Sequence, residues 1–171
     1  MEFTFETQYN TKTMAVMAKA LRKTVRKKHS RRSHIFGWII TILSALLLFK
    51  TGVSLTPRTV VTLFMIFALL TALLFEDRLN GYIAKKRLLP GTNSAVSVFS
   101  GDGFTTTTEI GSSLWRYDTI TAIAETQDFF VFIFSPNHAQ LYDKRTLKGG
   151  SPDQFRHFME EVTSKAVVPV R

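Results

Sequence analysis

The chain has 171 residues, with 22 Lys plus Arg against 13 Asp plus Glu and no cysteine. That length holds one compact domain, or a small domain with a membrane anchor, and excludes two large ones. The lack of cysteine removes a disulfide framework, a thiolate zinc site, an iron–sulfur cluster and a cysteine nucleophile.

The formal net charge of +9 is unevenly placed. Residues 1–34 carry nine Lys or Arg against Glu2 and Glu6, while residues 88–171 carry seven against nine carboxylates. The apolar residues concentrate between them, at 35–75. A basic block directly before an apolar run reads as the cytoplasmic flank of a membrane segment more naturally than as a nucleic-acid surface.

Over residues 1–10, Phe3, Phe5 and Thr7 alternate with Glu2, Thr4 and Glu6, the two-residue period of a half-buried strand. In residues 11–34, Met14, Met17, Leu21 and Val25 recur at three- and four-residue steps, with Lys19, Arg22, Lys23, Arg26 and Lys27 on the remaining faces. That is a basic amphipathic helix leading into the membrane. Arg22, Lys23, Arg26, Lys27, Lys28, Arg31 and Arg32 are candidates for contact with anionic phospholipid headgroups, each contributing about 1 kcal/mol near the leaflet. Topology control alone would call for the same charges.

A transmembrane hairpin is predicted over 35–75, as helices at 35–55 and 58–75. A helix rising about 1.5 Å per residue crosses about 30 Å of hydrocarbon in roughly 20 residues, with about 17 as the lower limit. Lys50 lies near the far end of the first helix, where its stem carries the ammonium to the interface, and Trp38 is an interfacial anchor. Thr51-Gly52 and Thr56-Pro57-Arg58 supply the turn. A cleaved signal peptide would need a far shorter charged region and a small-residue cleavage site, and two buried helices of a soluble domain would need a larger shell than this chain supplies. Thr41, Ser44, Thr62 and Thr71 are polar positions suited to helix contact with a larger partner.

Over 76–91, Leu79, Tyr82 and Ile83 continue the second helix until Leu89-Pro90-Gly91 stops it. Lys85, Lys86 and Arg87 join the headgroup candidates. The two extensions are expected to pack as an antiparallel stalk. The positive-inside bias of both flanks predicts a multi-pass protein of the cytoplasmic membrane with both termini in the cytoplasm.

From 92 to 171 the period changes to two. Short strands are predicted around Val96 and Val98, Phe104, Leu114 and Trp115, Ile120 to Glu125, Phe129 to Phe134, and Gln140 to Lys144. Turn formers separate them, including Ser100-Gly101-Asp102-Gly103 and Ser135-Pro136-Asn137-His138. Ser151-Pro152-Asp153-Gln154 then opens a terminal helix with a capping box, and Phe155, Phe158, Met159 and Val162 form its apolar face. Six strands leave edges to cover, so the strand at residues 1–10 is expected to return as the seventh. The fold class is an α+β membrane protein: a two-helix transmembrane hairpin with a seven-strand barrel or roll capped by a C-terminal helix.

The order of these parts resembles the YcxB-like family of bacterial membrane proteins. The matching pieces are Gly101-Asp102-Gly103-Phe104, Trp115 with Asp118-Thr119-Ile120, Glu125-Thr126 before Phe129-Phe130, Lys144, and Phe155-Arg156. The resemblance implies a pleckstrin-homology-like (PH-like) cytoplasmic domain beside a two-helix hairpin. It carries over no catalytic residues.

Chemistry is sparse. His29, His34, His138 and His157 show no metal-ligand spacing, Ser100-Gly101-Asp102-Gly103 lacks the Lys-Ser/Thr of a phosphate loop, and no Ser has a nucleophile-elbow context. Carboxylates at 102, 118, 125, 128 and 143 fall at predicted turns, as solvated residues or as an acidic rim for a basic partner. Trp115 reads as core, and Thr105 to Thr108 as a strand with one wet face. No catalytic, metal or cofactor site is expected, and no nucleic-acid partner, since aromatic and basic residues are not interleaved. The expected function is non-enzymatic: a PH-like cytoplasmic module held near anionic lipid, docking a protein partner at a sheet edge or the barrel mouth. The alternative is an accessory or immunity subunit of a membrane system, such as a transporter's auxiliary chain or protection against a membrane-active bacteriocin.

Overall fold

The structure, a computed structural model, describes residues 2–51 and 56–170. The predicted turn residue Gly52 and the end of the 35–55 span fall outside the described residues, as do Met1 and Arg171. Strand β1 (Phe3–Gln8) leads into helix α1 (Thr11–Lys23), which Asn10 caps by accepting from the amides of Lys12 and Thr13. The long helices α2 (Lys27–Thr51) and α3 (Pro57–Leu74) follow, then α4 (Glu76–Lys86). Thr56 caps α3 with Pro57 in its first turn, as the Thr-Pro pair predicts.

Helices α2 and α3 contain spans long and apolar enough to cross a membrane, at Lys27–Lys50 and Pro57–Leu74. Only 11% and 6% of their most apolar windows are buried. Large side chains such as Phe36, Leu47, Phe49, Phe64 and Phe67 point outward uncovered. The core helix of a soluble domain would bury such a face. Where the two helices meet, a side chain at Gly37 would strike Leu73, and Thr41 is buried, donating to the Gly37 carbonyl at 2.8 Å.

Strands β2 (Ser94–Phe99), β3 (Phe104–Thr108) and β4 (Gly111–Trp115) complete the first sheet, in the antiparallel order β1-β2-β3-β4. Strands β5 (Ala122–Glu125), β6 (Phe129–Ser135), β7 (His138–Asp143) and β8 (Val167–Pro169) form the second, in the order β7-β6-β5-β8. The N-terminal strand returns as expected, pairing Phe3 with Phe99 and Phe5 with Ser97. Helix α5 (Pro152–Thr163) carries the predicted capping box, with the Ser151 amide donating to Gln154 Oε1 at 2.8 Å and the Gln154 amide to Ser151 Oγ at 3.2 Å.

The expected seven-strand barrel or roll does not close into a barrel. Two four-stranded sheets face each other without closing, and an eighth strand, β8, runs parallel to β5. At one corner β1 meets the segment after β7 through the Thr4–Lys148 bridge and through Thr146, whose Oγ1 accepts from the Glu6 amide at 3.1 Å and donates to the Glu6 carbonyl at 2.7 Å. At the other, Trp115 on β4 reaches Phe134 and His138 by ring contact, with centroids 4.8 and 5.4 Å away. An isolated backbone bridge closes one corner and ring contacts the other, where a barrel would need a continuous ladder.

Between the sheets lies an aromatic core of Phe3, Phe5, Phe99, Phe104, Phe130, Phe132, Tyr142 and Phe155. A second cluster lies on the opposite face of β5, β6 and β7, where Ala20 and Leu21 of α1 pack on Val131, Ile133 and Leu141. Strand β6 is therefore buried on both faces, which explains its unbroken run Phe129–Phe134. The basic amphipathic helix turns its apolar face to a sheet.

Candidate functional site

Three places in the fold bring functional residue types together. The first is the root of the helical pair. Helices α1 and α4 run antiparallel, as the stalk reading expects: Ala15 lies against Gly81, and Arg22 against Asp77. A Cβ at Gly81 would lie 2.5 Å from the Ala15 backbone nitrogen, so this crossing requires glycine. Arg22 Nε donates to Asp77 Oδ1 at 2.7 Å, and its Nη2 grips Oδ2 in a fork. Glu76 accepts from His34 Nε2 at 2.6 Å and lies 3.6 Å from Arg22 Nε. Side-chain hydrogen bonding to Asp77 raises the Arg22 pKa above its ordinary value despite burial.

The ten headgroup candidates thus separate. Arg22 is locked to Asp77, and Arg26 donates to the Pro136 carbonyl and Asn137 Oδ1, tying the root to the β6–β7 turn. Lys23, Lys27, Lys28, Arg31 and Arg32 are exposed, and among the described residues none of them has an ion-pair partner. Lys85 bonds Asn93, Lys86 lies over the Tyr82 ring, and Arg87 is exposed. These three stand at the far end of α4, about 15 Å along the axis from Glu76. That exceeds a Debye length of about 8 Å, so the structure does not bring them into one patch with the 23–32 group.

The second place is a cavity of about 540 Å³ where the sandwich fails to close, between β3, β4, the start of β7 and α1. Its polar wall is built from the inward hydroxyl-bearing positions of the first sheet. Thr106 Oγ1 donates to Gln140 Oε1 at 3.2 Å and lies 3.1 Å from Ser97 Oγ, and Tyr142 donates to Gln140 at 2.6 Å. Met14, Met17, Leu88 and Ile110 supply the apolar side, and no Asp, Glu, Lys or Arg lines it. Burial lowers the pKa of His138 at its rim, favouring the neutral imidazole. Trp115 is half-buried there, and among the described residues its indole N–H has no hydrogen-bond partner. Within the threonine run Thr106 is the buried, inward position and Thr107 the exposed, outward one.

The third place joins residues far apart in sequence. Glu125 accepts Lys144 Nζ at 2.6 Å on Oε1 and Arg156 Nε at 2.7 Å on Oε2, while Asp153 holds Arg156 from the other side at 2.6 Å. Burial pushes the Glu125 carboxyl up, but the bonds from Arg156 and Lys144 outweigh it and hold the pKa below its ordinary value. Asp143 is paired with Arg145 and Asp118 with Arg116. Three of the five carboxylates of the acidic-rim alternative are thus engaged by cations, while Asp102 and Asp128 have no ion pair among the described residues. Among the described residues no three His, Asp or Glu gather where a metal ion could sit.

Residues 99–159 match the YcxB-like protein family, and the chain carries a YcxB-like domain there. No curated protein matches the chain. The matched segment runs from the end of β2 into α5, and it contains the Glu125, Lys144 and Arg156 cluster. Three of the short motif pieces, Glu125-Thr126, Lys144 and Arg156, thus meet in the contact that pins α5 across the sandwich.

Proposed function

We propose that this is a non-enzymatic, membrane-tethered docking protein, with α2 and α3 spanning the bacterial cytoplasmic membrane and the YcxB-like domain receiving a protein partner on the cytoplasmic side. The observation that carries the reading is the charge-free cavity beside β4. That strand ends its sheet, its residues Gly111 to Leu114 are exposed, and it carries none of the charge or proline that usually blunts a free edge. An incoming segment has backbone groups to pair with and a cavity with hydroxyls and pliable methionines for its side chains. The two-helix root supports tethering: α1 packs on both the domain and α4, so the domain is not on a loose linker.

The accessory or immunity reading has less support. Of its four polar candidates, Thr41 is buried inside the hairpin and Thr62 and Thr71 donate to the Arg58 and Phe67 carbonyls of their own helix.

The test is a photo-crosslinking residue in place of Ser112 in the full chain in native membranes, with Glu161 on the exposed side of α5 as control. A discrete protein adduct from position 112 and none from 161 is expected. No adduct at 112, or the same adducts at both positions, refutes the docking reading.

A further inference from the structure

The α1–α2 bend carries a groove of about 330 Å³ that the docking reading leaves unused. It is lined at one end by Lys23, Lys27 and Arg31 and at the other by Ile35 and Trp38, with Ser30 between them. We infer that this groove is a binding site for one anionic glycerophospholipid of the adjoining leaflet, the phosphodiester held by Lys23, Lys27 and Arg31 and an acyl chain laid along Ile35 and Trp38. The inference rests on the membrane-spanning part of the reading above.

Charge is the first argument. The carboxylates near this end of the helical pair, Glu76 and Asp77, are already engaged by Arg22 and His34. Lys23, Lys27 and Arg31 face the groove with nothing to neutralise them, so the complementary occupant is an anion. Ser30 is the second. Its residue is 9% exposed, it lines the groove, and among the described residues its hydroxyl has no hydrogen-bond partner. An unpartnered hydroxyl donor set between two cations suits a phosphate oxygen.

Depth is the third. Lys27, Ser30, Arg31, His34 and Trp38 follow one helix face at three- and four-residue steps. Arg31 stands four residues, about 6 Å of rise, above Ile35. If Ile35 marks the start of the hydrocarbon, that rise matches the headgroup layer of about 5–8 Å on each side of the bilayer core. The Glu76–His34 bond ties the start of α4, just beyond the end of α3, to α2 at this level. One groove therefore offers cations at phosphate depth and an aromatic and an aliphatic side chain where acyl chains begin. A diffuse polybasic surface offers only the first.

The experiment measures retention of phosphatidylglycerol by the full chain in mild detergent, using native mass spectrometry. Two triple variants remove the same charge: Lys23→Gln/Lys27→Gln/Arg31→Gln in the groove, and Lys85→Gln/Lys86→Gln/Arg87→Gln at the far end of α4. One phosphatidylglycerol retained in preference to phosphatidylcholine is expected. The groove triple should weaken retention at least about tenfold, the distal triple should leave it unchanged, and millimolar inorganic phosphate should not displace the lipid. A second readout works in a Trp115→Phe background, where brominated phosphatidylglycerol should quench Trp38, and the groove triple should abolish the preference over brominated phosphatidylcholine. Equal weakening by both triples, equal retention of the two lipids, or displacement by free phosphate overturns the site. Crosslinking at Ser112 reports independently, so a failed lipid site and a failed docking reading remain distinguishable.

Discussion

Replacing Glu125 with Gln isolates the contact that holds α5 on the domain. The carboxylate is 14% exposed and takes Lys144 and both the Nε and Nη2 nitrogens of Arg156 within 2.6–2.8 Å. Glutamine keeps the shape but removes the charge and turns an amide N–H₂ toward two cations. Removing one partner of a fully buried pair costs about 3–5 kcal/mol. Arg156 is 32% exposed, so water takes back part of the loss and about 2 kcal/mol is expected. For a chain of this length that lowers Tm by about 4–8 °C. The assay is thermal unfolding followed by Trp115 fluorescence in a Trp38→Phe background. The pH dependence gives a second check. Glu125 titrates lower in the folded state than its unfolded value of about 4.3. Its contribution is therefore complete above about pH 4.3 and is lost as pH falls through the folded value. The gap between wild type and Glu125→Gln should be the same at pH 7 and pH 5.5 and should shrink below about pH 4. Equal Tm values at pH 7, or a gap that persists undiminished to pH 3, would refute the reasoning.

Gly81→Val should wedge α4 off the Ala15 backbone, costing about 1–3 kcal/mol, and hydrogen exchange across residues 11–23 should speed up; unchanged exchange would mean the crossing tolerates a side chain. Phe155→Ala removes a ring whose centroid lies 4.7 Å from Phe5, 5.0 Å from Phe99 and 5.1 Å from Phe130, and should cost about 3–5 kcal/mol in urea unfolding. Tyr117→Phe deletes a hydroxyl that donates to the Ser100 carbonyl and lies 3.0 Å from that of Gly103; a loss of about 1 kcal/mol is expected, and no change in the urea midpoint would show the turn holds without it.

Periodicity made much of this fold legible. Phe3 and Phe5 alternate cleanly because β1 has one buried face, and the uncovered edge of the later strands calls for that strand to rejoin the distant sheet, as it does. Ser151 and Gln154 declared the start of α5 because a capping box is written in adjacent residues. The break between α1 and α2 at residues 24–26 was not legible, since the helical repeat through Leu21 and Val25 continues across it. Nor was β8, three residues that pair with the parallel strand β5. A two-residue period marks strands, but whether the sheets close depends on how their edges meet, which is why a barrel was expected and an open sandwich forms. The cavity draws on four separate stretches, and Thr106 and Gln140 look ordinary in each. Arg22 and Arg26 read as free surface charge because their partners, Asp77 and Asn137, lie 55 and 111 residues away.

The natural absence of cysteine permits the most direct test of the central claim, that a spanning hairpin holds the domain on the cytoplasmic side. Single cysteines at Thr56, Gln8 and Ser164 would be exposed to a membrane-impermeant maleimide in intact spheroplasts and again after lysis. Labelling of position 56 from outside, with positions 8 and 164 reacting only after lysis, is the predicted result. Labelling of 8 or 164 in intact spheroplasts, or protection of all three until lysis, would contradict it.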